Sequence, residues 1–201
     1  MKVLVACEFS GTVREAFRNL GHDAWSCDLE PTEISGNHYQ GNVLDVLNQG
    51  WDLMIAHPPC THLAVSGSRH FEKKILDGRQ KEGIDFFMKM VNAPIEKIAI
   101  ENPIGIMSSK YRKPDQIIHP YYFGDSYSKS TCLWLKNLKP LIHVKESPLF
   151  PDEVTHVDPG EFITFSSGKR MAKWYNEASG NGHLRSKTFS GIAKAMANQW
   201  G

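Results

Sequence analysis

The sequence predicts an α/β fold, a parallel sheet with helices on both faces in a three-layer sandwich. Three observations predict it. Short apolar runs at residues 2–7, 24–27, 51–56 and 97–100 read as strands buried on both faces. The first two flank a helical pattern, Val13, Phe17 and Leu20, closed by Gly21 in the position favoured for a left-handed cap. The chain has 201 residues, 41% of them hydrophobic, which is enough for one such core and leaves no room for a second full domain.

Composition narrows the class. The cysteines Cys7, Cys27, Cys60 and Cys132 lie far apart with no CxxC pair, which argues against a structural zinc site and a disulfide scaffold. A reduced, cytoplasmic protein without a metal is therefore expected. No apolar stretch approaches the roughly 20 residues of a membrane span, and residues 1–8 run into a strand-like segment rather than a signal peptide. Net charge is +1, so no global basic field demands nucleic acid. Charge distribution says more: beyond Ser166 stand Lys169, Arg170, Lys173, Arg185, Lys187 and Lys194 against the single acid Glu177. Most such runs are solvated faces, and the sharper alternative is an edge that binds phosphates.

The elements follow in order. Residues 2–7 form the first strand, Phe9-Ser10-Gly11-Thr12 a turn, residues 13–20 a helix, and residues 24–27 a second strand ending on Asp28. This is the βαβ order that holds a nucleoside cofactor. The glycine turn lets backbone approach the ligand, the helix offers free N–H groups, and Asp28 can accept from two ribose hydroxyls. With one glycine the signal is weak, since an ordinary tight turn looks the same. Residues 41–46 read as a short strand and turn leading into a helix that Gly50 ends.

Residues 51–56 form the next strand, stopped by Pro58-Pro59, the first of which has no N–H for a ladder. Cys60 sits at the tip of that rigid elbow, where open α/β sheets place ligands. A polar loop at residues 61–70 and a core-facing helix at residues 80–91 lead to a strand at residues 97–100, ending at Glu101-Asn102-Pro103. Pro103 is expected to stop that strand. An aromatic turn covers residues 121–125, and a further strand covers residues 128–135, with Lys129 at its start. A proline-rich loop spans residues 148–159. The chain closes with a helix at residues 185–200, carrying Ile192, Ala193, Met196, Ala197 and Trp200 on one face.

Two of these residues carry chemistry. A lone cysteine is more often a small buried hydrophobe than a nucleophile, and a lone strand-end glutamate is more often a cap or a surface partner. Cys60 and Glu101 end their strands alike, however, and adjacent strands would bring both to one rim of the sheet.

Taken together, these motifs resemble those of the DNA (cytosine-5)-methyltransferases, most closely the small phage-type members without a large target-recognition domain. Phe9-Ser10-Gly11 is similar to the family's cofactor motif, Asp28 to its ribose-binding acid, Pro58-Pro59-Cys60 to its nucleophile motif, and Glu101-Asn102 to the motif usually followed by valine. The segment at residues 124–135 is similar to its strand of basic residues. The resemblance covers residues 1–140 well. The departures are Val13 for a glycine, Asn42 for an aspartate, Thr61 for a glutamine, Pro103 for valine, and a short, poorly matched part at residues 140–201.

The resemblance implies a Rossmann-like sandwich of the S-adenosylmethionine-dependent methyltransferase type, one catalytic domain over residues 1–201. It implies methyl transfer from S-adenosylmethionine to carbon 5 of cytosine in DNA, duplex or single-stranded. Cys60 would be the nucleophile, Glu101 the acid at ring nitrogen 3, and Lys129 a contact to the base oxygen. Glu8, Phe9, Ser10, Gly11, Asp28, Asn42 and Pro58 would line the cofactor pocket. A homodimer would supply DNA-binding surface that so small a chain lacks, and no membrane is involved. Three rivals stand beside this. An amino-group methyltransferase would carry an aromatic after the prolines, which His57-Pro58-Pro59-Cys60 lacks. A non-catalytic binding or decoy protein would keep the fold without the chemistry. An enzyme for free nucleotides or single strands would suit the near-neutral charge.

Overall fold

Alternation along the buried strands sets how the layers stack. In β1 (Lys2–Ala6), Val3 and Val5 join the core on one face of the sheet, while Leu4 and Ala6 join the core on the other. The structure, a computed structural model, describes residues 1–186 and 188–201; Lys187 of the basic run lies outside them. After β1 come α1 (Thr12–Arg18), β2 (Asp23–Asp28), β3 (His38–Gln40), β4 (Leu53–Ala56), α2 (Phe71–Leu76), α3 (Arg79–Val91) and β5 (Lys97–Pro103). The second half holds α4 (Met107–Lys110), β6 (Gln116–Ile118), β7 (Thr131–Lys136), β8 (Phe162–Thr164), β9 (Arg170–Ala172), α5 (Lys173–Glu177), α6 (Gly182–Ser186) and α7 (Ser190–Trp200).

The strands β1 to β7 form one sheet in the order β3-β2-β1-β4-β5-β7-β6. Strands β1 to β5 pair in parallel, and β7 runs antiparallel to both β5 and β6. Phe17 of α1 and Ile192, Met196 and Trp200 of α7 cover one face, and Phe87 and Met90 of α3 cover the other. This is the expected α/β three-layer sandwich of Rossmann-like type. The order in which strands are added reverses between the parallel neighbours β1 and β4, which opens a crevice at their carboxyl ends.

Several elements depart from the expectation. The strand expected near residue 41 lies earlier, at β3, and the helix expected before Gly50 is a single 3-10 turn at Val43–Asp45. Strand β5 runs on through Pro103, because β7 continues alongside it and Pro103, opposite Thr131, places its missing N–H at the end of the ladder. The closing helix begins at Ser190, not residue 185. Its start is set from a distance: the Asp125 carboxylate accepts from Gly191 N–H at 2.7 Å and from the Ser190 hydroxyl at 3.2 Å. β6 and the β8–β9 hairpin had no readable signal, each being three residues long.

Arg14 of α1 is wholly buried and braces the segment after β2. Its guanidinium donates to Ser26 Oγ (2.9 Å), Thr32 Oγ1 (3.2 Å), the Ile34 carbonyl (2.5 Å) and Glu15 Oε1 (2.8 Å). Arg14→Met is expected to cost roughly 2–3 kcal/mol, from lost hydrogen bonds worth about 1 kcal/mol each. Urea unfolding measures the cost, and amide exchange should accelerate across residues 29–37.

Candidate active site

The carboxyl ends of β1, β2, β4 and β5 surround a cavity of about 630 Å³, within the range of small-molecule sites. Its first half is built by the turn after β1. Cys7 adopts a left-handed backbone conformation (φ 59), which tucks Glu8 beneath α1. There the buried Glu8 carboxylate accepts from Val13 N–H (2.7 Å), Arg14 N–H (3.2 Å) and the Ser10 hydroxyl (3.2 Å). Burial pushes the Glu8 carboxyl up, against the pull of His57 and these hydrogen bonds. In nucleotide-binding folds such a helix N-terminus cradles a pyrophosphate. Here a carboxyl group already occupies it, so the turn disfavours phosphates. Asp28, at the tip of β2, joins the wall with one carboxylate oxygen accepting from Glu30 N–H at 3.0 Å.

The second half is built by the tips of β4 and β5. Register pairs Ala56 with Ile100, so His57 stands opposite Glu101. Asn102 donates its amide to the Pro58 carbonyl at 2.7 Å and so ties the diproline elbow to β5. The loops beyond interlock as well. Val65 N–H donates to Ile104, and Ile106 N–H donates to Leu63. Gly105 permits that approach, since a Cβ there would run into the Leu63 carbonyl. Cys60 opens a turn in which its carbonyl accepts from Leu63 and Ala64 N–H, both at 2.9 Å, and the buried Lys74 of α2 donates to the Thr61 carbonyl at 2.6 Å.

Electrostatics separates the cysteines. Burial pushes the thiols of Cys7 and Cys27 up to about 12 and that of Cys132 to about 11, so these are inert. Burial and the Glu101 carboxylate also raise Cys60, but Lys129 and Arg185 pull against them. Burial works to raise Glu101, yet its hydrogen bond from His57, the Lys129 and His57 charges and the Thr131 hydroxyl hold it below the usual carboxylate range.

Cys60, Glu101 and Lys129 thus line one cavity with Glu8, Phe9, Ser10, Asp28 and Pro58. Gly11 and Asn42 are not on its wall. Gly11 forms the left-handed N-cap of α1, and the Asn42 side chain accepts from Leu44 N–H at 3.1 Å. Sequence reasoning missed His57 and the roof contributed by α5 and α6. His183 stacks near Phe9 with ring centres 4.5 Å apart and meets Glu33 at 3.3 Å. The Arg185 guanidinium lies 3.7 Å over the Tyr175 ring, and Lys129 Nζ donates to the Arg185 carbonyl at 3.1 Å. Of the remaining basic run, Lys173 pairs with Glu161 and Arg170 lies over Phe162. A histidine beside two prolines at a strand tip was a visible signal for His57, whereas Arg185 was visible only as one member of the basic run.

No family model matches the chain, and no curated protein does. A matching solved structure is the crystal structure of a protein provisionally described as a DNA modification methyltransferase encoded within an E. coli prophage. It has TM-score 0.44 and 15% identity, and the match covers 66% of this chain and 45% of that chain. The match thus spans less than half of that structure. So distant a likeness carries nothing about substrate or residues, and the fold class rests on the strand order and register. What the fold and site define is a Rossmann-like α/β protein in which a thiol on the elbow after β4 and a carboxyl group of β5 line one cavity.

Asn102→Ala is expected to destabilise the protein by about 1–3 kcal/mol, the cost of leaving the buried Pro58 carbonyl unpaired, read from urea midpoints. Acid stability should follow Glu101. Because its folded value is depressed, its contribution is complete above the unfolded value near ~4.3 and is lost as pH falls through the folded one. The fall in urea midpoint from pH 7 into acid should therefore be steeper for wild type than for Glu101→Gln.

Proposed function

We propose that the protein is an S-adenosylmethionine-dependent methyltransferase acting on carbon 5 of cytosine in DNA through a covalent Cys60 adduct. The observation that carries this reading is that Cys60, on the elbow after β4, and Glu101, just past the parallel β4–β5 ladder, line one cavity beside a turn whose Glu8 disfavours phosphates. Asp28 would accept from the ribose hydroxyls and Phe9 would face the nucleoside. Bound S-adenosylmethionine would supply an electrophilic methyl group.

Carbon 5 of cytosine is a poor nucleophile until carbon 6 is attacked, and a thiolate makes that attack best. Cys60 would attack carbon 6, and Glu101 would stabilise the charge that reaches ring nitrogen 3. Lys129 would face the base oxygen. After methylation, water would take the carbon 5 proton, and the 5,6 double bond would re-form as the Cys60 thiolate leaves carbon 6. The base must leave the helical stack to reach these groups. A single strand or free nucleotide is the second reading, favoured by α5 and α6, which contribute Tyr175, His183 and Arg185 to the cavity wall, with His183 against Phe9.

Single-stranded and duplex DNA carrying 5-fluorocytosine should each be incubated with the protein and S-adenosylmethionine, with labelled-methyl assays on DNA, RNA and dCMP alongside. Wild type is expected to form a denaturation-resistant adduct that Cys60→Ala lacks. An N-methylated product would instead indicate amino-group transfer. No adduct and no calorimetric binding of S-adenosylmethionine would indicate a non-catalytic protein.

A further inference from the structure

His57 is the residue this reading leaves without a role, and its surroundings are unusual. It stands on the central strand tip, its N–H donating to the Ala6 carbonyl of β1, with Glu101 opposite it on β5. Its side chain is 9% exposed and that of Glu101 15%, and His57 Nδ1 lies 3.2 Å from Glu101 Oε2. A carboxylate only accepts, so Nδ1 carries the proton of that bond. Nε2 is buried and has no hydrogen-bond partner among the described residues. A buried imidazole with one nitrogen unpaired costs stability that an apolar side chain would not. The bond to Glu101 is the visible return on that cost.

We propose that His57 is a positioning residue for Glu101: its Nδ1–H fixes Oε2, so that the carboxylate stands ready to take the Cys60 proton and pass it to the pyrimidine. This rests on the roles of Cys60 and Glu101 above and adds the route of the thiol proton. The Sγ–H bond breaks as the bond from sulfur to carbon 6 forms. The electrons of the 5,6 double bond shift to the 4,5 bond, and those of the 3,4 bond pass to ring nitrogen 3. The proton moves from Sγ to Glu101 and then to that nitrogen, which restores the carboxylate. His57 keeps its own proton throughout.

The charges around the pair are consistent with the route. Glu8 acts on His57 from the end of β1. Lys129 and Thr131, on and before β7, support the Glu101 charge, while Cys60 and Cys132 feel that charge and Arg185 reaches Cys60 from α6. A resting thiol beside a resting carboxylate is the state from which a direct transfer starts.

The test compares wild type with His57→Phe and the amide variant His57→Gln. Carbon-13-labelled glutamate carboxyls are titrated by NMR, and Glu101→Gln assigns the signal. Glu101 is expected to titrate below the ordinary glutamate range in wild type and at clearly higher pH in His57→Phe, with His57→Gln between. In methyl transfer, the acid limb of kcat/KM should move to higher pH in His57→Phe. Its kcat near neutrality should fall about tenfold or more, with the S-adenosylmethionine KM within about twofold, and His57→Gln should recover part of the loss. Unmoved Glu101 titration in a variant folded by circular dichroism overturns the proposal, as does an unmoved pH profile. Should His57→Phe not fold, the same criteria apply to His57→Gln. Absence of methyl transfer by wild type would overturn the functional reading and the proton route with it. The NMR titration separately decides whether His57 governs Glu101.

Discussion

The site depends on the parallel register of β1, β4 and β5. Because Ala6, Ala56 and Ile100 lie abreast, the next residues, Cys7, His57 and Glu101, form a row at the carboxyl edge of the sheet. A slip of one residue in either ladder would turn every side chain of the shifted strand to the other face and dissolve the row. The register is held by burial on both faces and locked at the tips by the bond from Asn102 to Pro58. The diproline elbow stiffens the chain leading to Cys60, and Asn102 anchors that elbow to the neighbouring strand. The thiol is thereby placed relative to Glu101 by backbone structure, the more precise way to build a site.

Charge divides the cavity. In the first half the Glu8 carboxyl group sits where nucleotide-binding folds hold a phosphate. In the second half Lys129 and Arg185 act on Cys60, and Lys129 also supports the Glu101 charge, setting cations against the carboxylate. His57 lies between the halves, with Glu8 on one side and Glu101 on the other. Burial pushes the remaining thiols far up, whereas at Cys60 the Lys129 and Arg185 charges work against burial.

The last third of the chain contributes by closing over the sheet edge. Short helices α5 and α6 bring Tyr175, His183 and Arg185 to the same cavity as Phe9 and Cys60; in α6, His183 meets Phe9 and Glu33, and the Arg185 carbonyl accepts from Lys129. The basic run is therefore not one surface. Lys173 is paired with Glu161, Arg170 covers Phe162, and Arg185 turns inward.

Sequence alone determined the parts governed by local patterning. Buried strands announced themselves as apolar runs, α1 and α3 by helical spacing, and the rigid tip by its two prolines. The sequence predicts that Cys60 and Glu101 end their strands alike; both line the cavity, but Glu101 lies within β5, which runs on to Pro103, and Cys60 lies beyond the end of β4. What only tertiary structure decided depends on distant partners. Pro103 stays in β5 because β7 accompanies it, α7 begins where Asp125 caps it, and Asn42 caps a turn away from the cavity wall. Residues as far apart as His57 and Glu101, or Lys129 and Arg185, meet only when the sheet and its roof are assembled. Local propensity acts over a few residues, whereas a site is made of contacts that the folded chain closes across its whole length.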